Sequence, residues 1–166
     1  MHPGDLSIAA GIAAGTFCSG VFFSSSQMVI PLLYKHTPQV QTGIFTKFYW
    51  RGFAVVAPLA VASTTAFGYA AYVLPSYRTE LAVAAALSLV PLPYTQLVMA
   101  KGIQTLIKCE NNAVEQEKLG AQEILRLLKS WKANNMVRVA ATGVGALLGL
   151  WILLNRKSSP QAETRL

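Results

Sequence analysis

The stretch RGFAVVAPLAVASTTAFGYAAYVLPSYR, residues 51–78, holds 26 consecutive residues without an ionised side chain between Arg51 and Arg78. About 20 apolar residues of helix cross the hydrocarbon of a bilayer. The same kind of interval recurs three times: 29 residues between Asp5 and Lys35, 20 between Glu80 and Lys101, and 17 between Arg138 and Arg156. The four intervals predict transmembrane helices at 6–33, 48–73, 81–100 and 137–154. A soluble bundle would show a polar residue at every third or fourth position, yet residues 81–90 contain one, Ser88. A barrel would alternate polar and apolar residues. In lipid every backbone group must pair within the protein, which leaves helices. The expected fold class is therefore all-α: a four-helix transmembrane bundle with an amphipathic helix in the loop between the third and fourth spans.

Composition agrees. The chain has 166 residues, 53% hydrophobic and 13% charged, whereas an ordinary soluble domain is roughly 25% charged. A disordered chain needs the opposite balance. The net charge of +7 in so apolar a chain points to contacts with the lipid bilayer surface and to orientation, with no nucleic acid partner. A single membrane domain is expected over 1–157, followed by a disordered tail at 158–166. The first span has no basic leader and is too long for a cleaved signal, so it reads as a retained anchor. Of 14 Lys and Arg residues, ten fall in the two segments 35–51 and 101–138. That bias places both loops of an integral multi-pass protein in the cytosol and both termini in the lumen or outside, with the tail cluster Arg156–Lys157 as the feature against it; the endoplasmic reticulum or another endomembrane is the expected location.

Residues 103–134 lack proline, and Ile124, Leu127, Leu128 and Trp131 recur at helical spacing. The segment reads as an amphipathic or extended helix feeding the fourth span, interrupted at Asn111–Asn112 and Gly120. Gly11-x-x-x-Gly15 and Gly145-x-x-x-Gly149 are small-residue faces that let spans one and four approach each other, or the same span of a second copy in a homo-oligomer. Pro58, Pro91 and Pro93 are expected to bend their helices and open space at membrane depth.

The side-chain inventory excludes much chemistry. No Asp or Glu lies inside a span, so a carboxylate proton relay is unavailable. The histidines are His2 and His36, and the cysteines Cys18 and Cys109, with no metal or cluster spacing. No phosphate loop, dinucleotide fingerprint or Ser-His-Asp set is present. An enzyme built from this chain is expected to use no metal and no tightly bound cofactor. What remains is polar and aromatic groups at span edges: Tyr49, Trp50 and Arg51 entering span two, Tyr94, Thr95 and Gln96 in span three, and Trp131, Asn135 and Arg138 leading into span four. The last three are spaced by four and three residues and share one helix face.

Four motifs carry a resemblance: Gly15-Thr-Phe-Cys-Ser-Gly20 continuing through Ser24–Ser26 to Pro31; Phe48-Tyr-Trp-Arg-Gly52 with Pro58; Val90-Pro-Leu-Pro-Tyr-Thr95 with Met99; and Trp131-x-x-x-Asn135-x-x-Arg138 with Gly143, Gly149 and Leu150-Trp151 after it. In this order the chain resembles the DUF1772 membrane proteins, whose best-known fungal members are anthrone oxygenases of polyketide pathways. One departure stands out. The family's Pro-aromatic-Thr stretch usually runs through Met to Pro-Thr-Asn, and here Met99 is succeeded by Ala100-Lys101-Gly102-Ile103.

The resemblance implies an enzyme that oxidises an anthrone-type aromatic polyketide to an anthraquinone with O2 and without a cofactor. The anthrone loses a proton to give an electron-rich anthrolate, which passes an electron to O2; recombination gives a peroxide that collapses to quinone and water. Such a site must hold a flat ring system, stabilise an oxyanion and remove a proton. Arg51, Asn135 and Arg138 suit the oxyanion; Trp50, Tyr94 and Trp131 suit stacking, with Thr95 beside them. An imidazole suits the role of base, which nominates His36, with Tyr49 or water as the alternatives. A non-catalytic four-span scaffold or accessory subunit is the other reading, and the lost Pro-Thr-Asn group is its support.

Overall fold

The computed structural model describes residues 2–157; the tail expected at 158–166 lies outside the described residues. The chain forms α1 (Pro3–Leu33), α2 (Pro38–Val73), α3 (Pro75–Asn111), α4 (Ala113–Leu119) and α5 (Ala121–Lys157). Among the described residues there is no strand. Helices α1, α2, α3 and α5 are long and apolar enough to cross a membrane. They form an up-and-down ring in which α1 packs on α2 and α5, and α3 packs on α2 and α5.

The helices outrun the expected spans. At 36 residues, α2 is about 54 Å long, against about 30 Å of hydrocarbon. The segment 103–134, expected as an amphipathic or extended helix feeding the fourth span, is the end of α3, the short α4 and the start of α5. The interruptions fall where the sequence placed them. Asn112 caps α4, its side chain accepting from the amides of Val114 and Glu115 (3.0 and 3.3 Å). Gly120, with φ of 77°, makes the left-handed turn that an L side chain resists. The amphipathic face of α5 buries Ile124, Leu128 and Trp131 against Ile103 and Leu106 of α3 and Phe45 of α2.

A second core lies at the other end of the bundle, where Ile8, Phe67, Leu81 and Ile152 meet. Gly15 lies at the α1–α5 contact, near Ala146 and the Thr142 carbonyl. Gly149 also meets Ile12 of α1, 3.1 Å from its missing Cβ, and Gly11, Gly145 and Gly149 otherwise face α2 and α3. A Cβ on Gly149 would lie 2.5 Å from the Phe67 ring, and one on Gly11 2.9 Å from it, while Gly145 faces the Ala84 carbonyl of α3 at 3.1 Å. The glycines of α1 and α5 thus make room for one α2 aromatic ring at the bundle centre. Interhelical hydrogen bonds add specificity where lipid removes the hydrophobic drive: Ser7 donates to the Ala66 carbonyl (2.7 Å), Ser63 to that of Gly11 (2.9 Å) and Ser19 to that of Val139 (3.0 Å). The ion pair Asp5–Arg156 (3.2 Å) ties the start of α1 to the end of α5.

Proline acts through wide turns. In α1 the turn Ser25–Val29 is π-helical, the Ile30 amide reaching back to the Ser25 carbonyl, just before Pro31. In α3 the turn Thr95–Met99 is also π-helical, just after Pro91 and Pro93. Helix α2 continues through Pro58. Such one-turn bulges insert a residue and rotate the remainder of the helix about its axis, and they concentrate at functional sites.

Candidate functional site

A cavity of about 390 Å³ lies between the two cores, lined by all four long helices. Its size falls in the range of about 300–1,000 Å³ typical of small-molecule sites. The walls are apolar and largely flat, with Phe22, Phe48, Val56, Pro91, Leu92 and Trp131 prominent. Phe53, Pro93 and Gln96 are lining residues that are also exposed, so the mouth lies between α2 and α3. Among the lining residues the ionisable ones are Tyr49 and Arg138.

Arg138 is 6% exposed. Its Nη1 donates to Thr95 Oγ1 (3.0 Å) and its Nη2 to Asn135 Oδ1. Its guanidinium carbon lies 4.6 Å from the Phe22 ring centre and 5.4 Å from that of Trp131, a cation between two π faces. No carboxylate pairs with it among the described residues. Among the described residues its Nε has no partner, nor does Trp131 Nε1.

Both wide turns serve this cation. Asn135 donates through Nδ2 to the Phe22 carbonyl and to Ser26 Oγ, each at 2.7 Å. Ser26 sits in the α1 bulge, and Thr95 opens the α3 bulge. The hydroxyls of Ser25 and Thr95 donate to the carbonyls of Val21 (2.5 Å) and Pro91 (2.6 Å), supplying local hydrogen bonds where the helix is irregular. Asn135 therefore has both amide hydrogens and its oxygen committed, and it positions Arg138 instead of presenting a free donor to a ligand.

Trp131 is fixed by edge contacts with Phe45 (5.6 Å between centroids) and Phe48 (6.4 Å). Tyr94 packs in the same cluster, and its hydroxyl donates to Asn134 Oδ1 (2.8 Å); it is not a lining residue of the cavity. Trp50 is exposed and lines a neighbouring depression that shares Tyr49, Thr95 and Gln96 with the cavity. Arg51 is exposed on α2, and His36 is exposed in the turn between α1 and α2; neither lines the cavity. The structure thus gathers Tyr49, Thr95, Trp131, Asn135 and Arg138, and leaves His36, Trp50, Arg51 and Tyr94 around them. Sequence reasoning did not single out Phe22 and Ser26 for the site. Their signal was Pro31, which marks an irregular turn but not the direction in which its side chains project.

Comparison with known proteins places this geometry. The family described as anthrone oxygenase matches residues 45–148, which include all five gathered side chains. A monooxygenase of Dothistroma septosporum is 27% identical over 84% of this chain and 78% of its own length. An anthrone oxygenase of Paecilomyces divaricatus is 29% identical over 85% of this chain and 91% of its own. One of Aspergillus fumigatus is 30% identical over 86% and 89%. No solved structure matches the chain. With more than half of its length matched and the relatives aligned almost end to end, this chain belongs to the anthrone oxygenase family.

Proposed function

We propose that the protein is a membrane enzyme that oxidises an anthrone-type polyketide to the anthraquinone, with O2 as oxidant and no bound cofactor, its basic end in the cytosol at an endomembrane. The observation that carries this reading is Arg138, a buried cation without a carboxylate partner among the described residues, set in a flat apolar cavity.

A buried unpaired charge is costly, and it becomes useful when negative charge develops beside it. Deprotonation of the anthrone methylene moves an electron pair through the rings onto the ketone oxygen. Arg138 stabilises that oxyanion, while Trp131 and Phe22 stack on the rings. The anthrolate passes an electron to O2, the resulting pair joins at the former methylene carbon, and loss of water leaves the second carbonyl. One O2 is consumed; one oxygen atom enters the product and the other leaves in water. The first proton goes to Tyr49 in its phenolate form or to a water in the cavity; His36 lies in the exposed turn between α1 and α2 and does not line the cavity. The mouth between α2 and α3 suits a substrate that partitions into lipid.

The test is oxidation of emodin anthrone by microsomes containing the protein, monitored by quinone absorbance against an enzyme-free blank that reports autoxidation. A rate above blank that depends on Arg138 supports the reading. A rate equal to blank would remove it for that substrate and leave the scaffold reading.

A further inference from the structure

We propose that the cavity binds aromatic phenols and enols in their ionised form, so that a hydroxylated quinone product is retained as its phenolate. The idea rests on the reading of the site as an oxyanion site and extends it to a stable ligand whose binding needs no turnover.

Charge carries the argument first. Among the described acids, Asp5, Glu115 and Glu123 pair with Arg156, Lys118 and Arg126. Glu80 is at the start of α3, at the opposite end of the bundle from α4, and Glu117 is exposed on α4. Glu110 lies beside Gly43, its Oε1 4.0 Å from where a Cβ would stand. The acceptors that meet Arg138 are the neutral oxygens of Thr95 and Asn135. Among the described residues, the partners of Arg138 thus supply hydrogen-bond acceptors but no negative charge.

Unmet hydrogen bonding comes second. Arg138 Nε and Trp131 Nε1 are buried donors without partners, and both side chains line the cavity. Buried donors are rarely left unpaired in a finished structure, and a ligand that brings acceptor oxygens would pair both. Shape comes third. Phe22, Phe48, Pro91 and Trp131 offer flat apolar walls, which a small inorganic anion would leave uncovered and a lipid tail would cover without meeting the cation. A planar aromatic carrying an anionic oxygen answers all three.

The experiment uses purified protein in uncharged detergent and 2-hydroxyanthraquinone, whose phenolate absorbs at longer wavelength than the phenol. The pH midpoint of the bound dye is compared with that of the dye in the same micelles without protein. The expected result is a midpoint lowered by at least about one unit, a tenfold rise in the phenolate-to-phenol ratio at a given pH. Arg138→Met should abolish the shift, Arg138→Lys should keep part of it, and Lys101→Gln, an exposed cation of α3, should leave it whole. Uncharged micelles disfavour the anion, so partitioning alone moves the midpoint upward. A wild-type midpoint that is unchanged or raised overturns the proposal, as does a lowered one that survives Arg138→Met. A lowered midpoint without oxidation of emodin anthrone would leave this inference standing and remove the enzyme reading for that substrate; oxidation with no lowering would do the reverse.

Discussion

Replacing Arg138 by Met separates the stability of the bundle from its chemistry. Met is flexible and apolar enough to occupy the space between Phe22 and Trp131. The substitution removes the hydrogen bonds to Thr95 and Asn135; interhelical bonds in membrane proteins average about 0.6 kcal/mol and reach about 1.7. It also removes the stacking of the guanidinium on two rings, worth about 0.5–2 kcal/mol each. Against these losses stands the cost of holding an arginine within the membrane, which for a residue near the end of a span is at most the value for its centre, about 2.5–3.5 kcal/mol. The terms offset, and the expected net change in stability is within about 2 kcal/mol. Catalysis has no such compensation. Loss of an oxyanion donor costs about 10²–10³-fold in turnover. Arg138→Met should therefore stay monodisperse in detergent, melt near the wild-type temperature by tryptophan fluorescence, and lose at least about a hundredfold of the blank-corrected rate of quinone formation. Turnover within about threefold of wild type at equal abundance would refute the assignment of Arg138 to the oxyanion. Collapse of the fold would refute the view that its charge is held for function.

Asn135→Leu makes the complementary case. It leaves the cation in place and strips its Asn135 partner together with the contacts to Phe22 and Ser26, so a stability loss of about 2–3 kcal/mol is expected with a fall in turnover, checked by the same melting and rate measurements. Gly149→Ala puts a methyl 2.5 Å from Phe67 and should cost about 1–3 kcal/mol by overpacking in thermal unfolding. Gly52 lines the cavity with nothing within 4 Å of its missing Cβ; Gly52→Leu should fold normally and raise KM, or abolish turnover, by occupying the site. His36→Gln should leave the pH-rate profile unchanged, because the residue is in an exposed turn; a profile that loses its rise with pH in this variant would restore His36 as the base.

The charge-free intervals of the sequence determined the four spans, because an ionised side chain in hydrocarbon is costly and therefore rare within a span. Spacing along α5 likewise determined that Trp131, Asn135 and Arg138 share a face, since helical phase is a local property. Asn112 and Gly120 marked the breaks through capping and the left-handed turn. The partner of that face was a matter of tertiary structure alone. Inward and outward faces of a span are both apolar in lipid, as Leu97 and Leu81 of α3 illustrate, one 84% exposed and the other fully buried, so hydrophobicity does not say which neighbour a face meets. The pairing of Asn135 with Ser26 spans 109 residues and depends on two wide turns that re-aim the chain after or before a proline. Helical phase extrapolated through such a turn goes astray by one residue, which is enough to turn a side chain from lipid toward the cavity. Arg51 and Arg138 both stand at the ends of charge-free intervals, and only the packing of four helices made one a surface cation and the other a buried one.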